Sequence, residues 1–140
     1  GSAQTQNWPC KFWGVGLAQA PLLAGPWKRC SQRNPIPIDP VWVENPIVTK
    51  MSDGTFIALF DGGPRESFAY SLSKDGIKWE KGVTIPLEPK VKKWWAKMRT
   101  PLGLIPEDDG TYTVFYTAMT GRFADKDRFA CVGMLRLKLK

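Results

Sequence analysis

Carboxylates are the side chains of this chain that could do acid–base chemistry, because its 140 residues contain no histidine. Without histidine the chain has no Ser–His or Cys–His nucleophile pair, no histidine general base and no histidine metal ligand. Glu44 stands at the start of one apolar run, and Asp61 follows the end of the next. Because two carboxylates on either side of a glycosidic bond can cleave it, carbohydrate hydrolysis is the first chemistry to consider.

The run that Glu44 opens belongs to a pattern that occurs twice. The first copy opens with Val43-Glu44-Asn45-Pro46 and turns at Asp53-Gly54, and the second opens with Met98-Arg99-Thr100-Pro101 and turns at Asp109-Gly110. An Asp-Gly pair between alternating apolar runs is a strong hairpin signal, so each copy predicts two antiparallel strands joined by a tight turn. The copies lie about 55 residues apart, a period typical of a propeller blade.

A third element, a short apolar strand that begins with phenylalanine, recurs in the same order along the chain. Its three copies start at Phe12, Phe68 and Phe129. Together these elements predict an all-β chain whose blades each contain four antiparallel strands. The single domain 1–140 would hold the end of one blade (8–33), a full blade (43–84) and most of a second blade (98–140).

About two and a half blades are fewer than the roughly four to eight that close a known propeller. We therefore expect a partial, half β-propeller, which would expose sheet edges and an apolar face if it stood alone. Either the remainder of a longer protein or a second copy of the chain would complete the ring, so a homo-oligomer is one expected state. The alternative is a plain antiparallel sandwich whose hairpins merely resemble one another.

Blade geometry predicts where the functional residues would meet. The first strand of a blade starts beside the central channel, and the second strand returns to the same face, so Glu44 and Arg99 would share a face with Asp61. The connections between blades would bring further charged and aromatic side chains to this face, namely Asp39, Trp42, Arg65, Lys93, Trp94 and Trp95. Aromatic faces stack on sugar rings. We therefore predict that Glu44 and Asp61 are catalytic, and that Arg99 and the listed side chains bind substrate.

Four motifs occur in an order similar to that of one enzyme group. They are Gly25-Pro26-Trp27, Ile38-Asp39-Pro40, Glu44-Asn45-Pro46 and the heptapeptide Ser-Lys-Asp-Gly-Ile-Lys-Trp at 73–79. Over nearly the whole chain, this order resembles the five-bladed β-propeller glycoside hydrolases of the arabinanase and β-xylosidase type (family 43 and relatives). The resemblance implies an extracellular polysaccharide as substrate and Glu44 as general acid.

Two features depart from that family. The resemblance implies that Asp39 tunes the pKa of the acid, but Asp39 lies only five residues before Glu44 and cannot occupy a separate blade. The family takes its general base from an earlier blade, which this sequence does not contain. Asp61, or a carboxylate from a second copy, is the substitute that we consider.

Other interpretations of the same face stay open. Glu44 could form an ion pair with Arg99 that only ties strand ends together, and the face could bind carbohydrate without cleaving it or serve a purely structural role. The net charge of +7 is concentrated in clusters such as 90–99, for which a solvated loop is favoured over an anion site. If the cluster does bind an anion, an acidic polysaccharide fits a channel rim as well as nucleic acid does. We expect a neutral or acidic carbohydrate as partner, rather than nucleic acid.

Composition sets the remaining expectations. No apolar stretch is long enough to span a bilayer, and no Cys-x-x-Cys spacing indicates a metal site, so we expect no membrane partner, metal or cofactor. Cys10 and Cys30 could pair, whereas a free thiol is expected at Cys131. Ala3-Gln4-Thr5-Gln6 could be the start of a mature chain after removal of a signal sequence, which predicts a secreted or periplasmic protein.

Overall fold

The predicted all-β class is confirmed by the structure, a computed structural model that describes residues 14–38, 42–62, 67–85, 97–119 and 130–138. Within these ranges the chain forms nine strands in three antiparallel sheets. The first sheet contains β1 (Ala18–Gln19) and β2 (Lys28–Arg29). The second contains β3 (Val43–Lys50), β4 (Phe56–Gly62), β5 (Phe68–Ser73) and β6 (Val83–Ile85), and the third contains β7 (Lys97–Pro106), β8 (Tyr112–Met119) and β9 (Ala130–Leu137).

The β3–β4 and β7–β8 hairpins turn in the same way. The Asp53 carboxylate accepts a hydrogen bond from the backbone N–H two residues later at 2.8 Å, and Asp109 makes the equivalent bond at 3.0 Å. The glycine that directly follows each aspartate has a left-handed backbone, with φ of 87° at Gly54 and 75° at Gly110. Because glycine adopts this conformation without a steric penalty, the Asp-Gly pair sets the turn at both places.

The turn between β5 and β6 is held by its own side chains. Asp75 Oδ1 accepts hydrogen bonds from the backbone N–H groups of Lys78 and Ile77, each at 2.8 Å, and the Ser73 hydroxyl donates to the Lys78 carbonyl at 2.6 Å. These N–H donors, first that of Lys78 and then that of Ile77, stabilise the carboxylate and lower the pKa of Asp75. The turn directs the chain to Trp79, which packs against buried residues of the second sheet.

The larger core lies between the second and third sheets. Ile57 and Leu59 of β4 belong to it together with Val114 and Tyr116 of β8, and the rings of Phe68 and Tyr116 meet edge to face with centroids 5.8 Å apart. Burying one such side chain fully contributes about 1.5–3 kcal/mol, so this interface is a main source of stability.

The second core covers the opposite face of the second sheet. Ala58 and Phe60 of β4 and Ala69 of β5 pack there against Ile36 and Ile38 of the preceding segment. Residues 57–60 of β4 are therefore buried on both faces of the strand, as their unbroken apolar sequence requires. The second sheet is thus a middle layer between segment 14–38 and the third sheet.

The cysteines in the described part of the chain are free thiols. Cys30 is exposed and Cys131 is partly buried, and neither forms a disulfide within the described residues. Cys10 lies outside the described residues, so its pairing with Cys30 stays open as the sequence left it, while the free thiol expected at Cys131 is confirmed.

Candidate functional site

The two carboxylates predicted to be catalytic lie opposite each other in the second sheet. Glu44 of β3 and Asp61 of β4 are directly paired across the antiparallel ladder, next to the strand ends. Directly paired residues project to the same face of a sheet, with Cβ atoms about 4.5–5.5 Å apart. Glu44 is partly exposed, whereas only 8% of Asp61 is exposed. The fold thus brings both carboxylates together but opens mainly Glu44 to a ligand.

A β-bulge follows Glu44 directly. The register shifts between Glu44 and Ile47, since β3 carries one more residue here than β4 does. Pro46 suits this position because it has no N–H to donate to the ladder. Asn45 has a φ of 49°, in the left-handed region that asparagine tolerates better than most residues. The bulge places the Asn45 side chain so that its Nδ2 donates to Asp61 Oδ2 at 3.2 Å.

The third sheet supplies a further partner of Asp61. The hydroxyl of Thr100 on β7 donates to Asp61 Oδ2 at 3.2 Å, and Asn45 Nδ2 lies within 3.4 Å of the same hydroxyl oxygen. We call Asn45, Asp61 and Thr100 the seam cluster, because it joins the second and third sheets. Two neutral donors on one oxygen stabilise a buried carboxylate that would otherwise be costly.

The strands that carry the seam cluster lie side by side along their length. Beyond the cluster, the Thr49 hydroxyl on β3 donates to the Leu104 carbonyl on β7 at 3.1 Å. Asn45 and Thr100 are 55 positions apart, and so are Thr49 and Leu104. Equivalent positions of the repeated pattern therefore face each other across the boundary between the sheets.

The sequence indicated Asp61 but missed Asn45 and Thr100, which donate hydrogen bonds to it. Asn45 and Thr100 occupy the same place in the two copies, directly after the charged residue that opens the strand and before a proline. That shared position is the feature of the sequence that could have indicated a contact between Asn45 and Thr100. Short polar side chains beside a strand opening are also frequent at bulges and turns, so type and position alone do not indicate a contact.

The other predicted site residues are only partly described. Trp42 precedes β3 and is partly buried. Arg99 lies in β7 at a second bulge, between Met98 and Thr100, where the register with β8 shifts. The remaining predicted substrate contacts lie outside the described residues, namely Asp39, Arg65, Lys93, Trp94 and Trp95.

The seam cluster and Glu44 form a polar surface suited to hydroxyl groups. Glu44 offers carboxylate oxygens as acceptors, and the exposed Asn45 amide offers its oxygen as a further acceptor, since its Nδ2 already donates to Asp61 and Thr100. One oxygen of the largely buried Asp61 accepts hydrogen bonds from Asn45 and Thr100, and these bonds fix the positions of both side chains. This chemistry fits a ligand rich in hydroxyl groups.

The described residues give no sign of a metal centre or a membrane span. No three of their His, Cys, Asp and Glu side chains are grouped so that they could hold a metal ion. Within the same ranges, no helix has the length and apolar character needed to cross a bilayer.

Comparison with known proteins returned neither a matching family model nor a matching solved structure. The resemblance to five-bladed glycoside hydrolases therefore stays a prediction that rests on the motifs of the sequence.

Proposed function

We propose that this chain is part of a β-propeller protein that acts on an extracellular polysaccharide as a glycoside hydrolase, with Glu44 as general acid. The observation that carries the proposal is the partly exposed Glu44, which lies beside the seam cluster where the first strands of two repeated sheets meet. The order of sequence motifs that resembles the arabinanase and β-xylosidase group supports the same substrate class.

The propeller part of the proposal is supported by the way the sheets are arranged. In a propeller, the first strands of successive blades lie next to each other around the channel. Here β3 and β7 are neighbours, and equivalent residues 55 positions apart bond across them. Both strands also bulge next to the residue that opens the repeated motif.

We assign Asp61 a positioning role and look for the general base elsewhere. A general base must contact the water molecule that it activates. Asp61 is poorly placed for this, because it is largely buried and already accepts hydrogen bonds from Asn45 and Thr100. In this proposal Asp61 fixes Asn45 beside Glu44, and a carboxylate from another part of the ring activates water.

Glu44→Gln tests the assignment of the acid. The substitution keeps size and hydrogen-bonding capacity but removes the proton donor, so activity on glycosides with poor leaving groups should fall by about 10²-fold or more. Activated aryl glycosides need less protonation and should lose less. Initial rates on both substrate types, with circular dichroism as a check on folding, measure this difference. Full activity of the variant on both types would remove Glu44 from the mechanism.

The second candidate is a carbohydrate-binding protein without hydrolysis. The burial of Asp61 favours it, because this leaves Glu44 without a solvent-accessible carboxylate as its cross-strand partner. Under this alternative the wild type cleaves nothing, and Glu44→Gln weakens binding to a glycan array. If Glu44→Gln changed neither activity nor binding and only lowered the melting temperature, Glu44 would be a structural residue.

A further inference from the structure

The outer face of the third sheet exposes a row of apolar side chains. On β9, Val132 is 64% exposed and Met134 is 63% exposed, and Ile105 on β7 is also exposed. Phe115 of β8 is paired with Met134 and joins the two outer strands into one surface. We call these four residues the outer face. Strand pairing places Thr113, Thr117 and Arg136 on the same face, so these apolar side chains form a patch with polar neighbours, as in the core and rim of an interaction site.

The second sheet shows what covers this face elsewhere in the same chain. Leu59 of β4 occupies the place in its hairpin that Phe115 occupies in the β7–β8 hairpin, since Gly54 and Gly110 mark the same turn position. Leu59 is fully buried, and the side chains that bury it include Val114 of the next sheet. In the second sheet, the face equivalent to the outer face is therefore covered by the third sheet, the next unit of the repeat.

The other face of the second sheet is also covered by a neighbouring unit of the chain, in this case the preceding one. The Phe60 face of the second sheet is covered by Ile36 and Ile38 of the preceding segment. Each layer thus packs its forward face on the backward face of the next layer, which makes the contact heterologous. Segment 14–38 is the first layer described, and its β1–β2 connection exposes further apolar side chains, with Leu23 90% exposed and Leu22 and Trp27 also exposed.

We propose that the outer face binds segment 14–38 of a second copy of this chain, head to tail. A heterologous contact closes into a ring when its rotation divides a full turn, and two copies of about two and a half units give about five, within the range of closed propellers. The inference rests on the repeated packing of the sheets and not on the proposed enzymatic activity.

The available area is enough for such a dimer. Three strands spaced about 4.8 Å apart and rising about 3.3 Å per residue over eight residues present a face of about 14 by 26 Å. Two such contacts in a two-copy ring bury about 1,500 Å² in total, close to the area of standard stable interfaces.

Sedimentation velocity on the purified chain from one to one hundred micromolar tests the proposal with the protein as it exists. We expect a dimer, and Met134→Lys should raise its dissociation constant about tenfold or more, because the contact would bury an unpaired charge. Ile77→Lys is the matched control, since Ile77 is 52% exposed and lies in the β5–β6 turn, which belongs to the second sheet and not the third. A folded wild-type monomer throughout, or a dimer that Met134→Lys leaves intact, would overturn the proposal.

Leu23→Lys distinguishes head-to-tail docking from pairing of two outer faces. Head-to-tail docking predicts that this substitution weakens the dimer as Met134→Lys does. It also predicts that an equimolar mixture of the two variants recovers part of the association, since one of the two contacts in a mixed ring is then unmodified. If Leu23→Lys has no effect while Met134→Lys dissociates the dimer, the occupant is the outer face of the partner and the head-to-tail proposal is wrong.

Discussion

Asp61 connects three separate parts of the chain through one carboxylate. Its Oδ2 accepts hydrogen bonds from Asn45, across the strand pair, and from Thr100, which lies 39 residues away in the next sheet. Because the carboxylate is largely buried, losing a donor leaves charge that water can hardly solvate. Asp61 therefore makes the position of Asn45, beside Glu44, depend on how the two sheets pack.

Thr100→Val is the substitution that isolates this connection. Valine has the shape of threonine but lacks the hydroxyl, so the variant should lose about 1–3 kcal/mol of unfolding free energy, the cost of depriving a buried acceptor of its donor. Urea denaturation followed by tryptophan fluorescence measures the loss. Thr117→Val is the matched control, because the Thr117 hydroxyl makes only a long 3.5 Å bond to the Thr100 carbonyl. An equal loss in both variants would argue against a specific role for the Asp61 bond.

At the scale of the element, the two Asp-Gly hairpins depend on backbone conformation rather than on packing. A Cβ built on Gly54 or on Gly110 meets no atom within 4 Å, yet both residues have a left-handed backbone. Space is therefore available for a side chain, and only the conformational preference of the backbone opposes it.

Gly54→Ala and Gly110→Ala should each cost about 1–2 kcal/mol of unfolding free energy, the penalty for an L-residue in the left-handed region. Gly54→Asn should cost less, because asparagine tolerates this conformation better. Chemical denaturation of the three variants checks the order. If alanine proved as stable as glycine at either site, the turn would have a different backbone conformation from the one described.

The hairpins were predictable from sequence because their chemistry is local. An aspartate that accepts a hydrogen bond two residues on, followed by glycine, determines a turn without help from the rest of the chain. The Asn45 bulge and the contact of Thr100 with Asp61 were not predictable in this way. They exist because two sheets pack with their first strands adjacent, and that arrangement is set by side chains far apart in the sequence.

The pairing of Glu44 with Asp61 lies between these cases. Once a hairpin is centred on Asp53-Gly54, strand pairing brings the start of the first strand near the end of the second, so proximity follows from the turn. The turn does not explain why Glu44 is more exposed than Asp61. That difference arises from the third sheet, which contributes Thr100 and covers one side of Asp61.

At the scale of the whole molecule, the second sheet is buried on both faces, against segment 14–38 on one side and the third sheet on the other. Tyr116 lies at the larger interface, in contact with Phe68 of the second sheet, and the Cβ of any residue replacing Gly133 would overlap its ring. The strand partner of Tyr116 must therefore be glycine for the ring to fit. The burial of the Tyr116 ring therefore depends on the packing of the second sheet against the third.

The ionisation of Tyr116 links that packing to pH. Burial disfavours the phenolate and raises the pKa of Tyr116 above its ordinary value of 10.0. In the unfolded chain the phenol ionises near pH 10, while in the folded chain it stays neutral to higher pH. The stability that this group contributes is therefore complete below pH 10 and is lost as the pH rises through the folded-state pKa.

We expect the urea midpoint of the wild type to fall more steeply between about pH 9.5 and pH 11 than that of Tyr116→Phe, whose ring fills the same space without an ionisable group. Tyr70→Phe is the comparison variant, because it also removes one phenol from a side chain that contacts the same core. Lysine titration affects all three proteins alike and cancels in the comparison. If Tyr116→Phe and Tyr70→Phe show equal slopes, Tyr116 does not couple the packing of the two sheets to pH. A shallower slope in Tyr116→Phe alone would place this alkaline sensitivity at the interface that also holds Thr100 against Asp61.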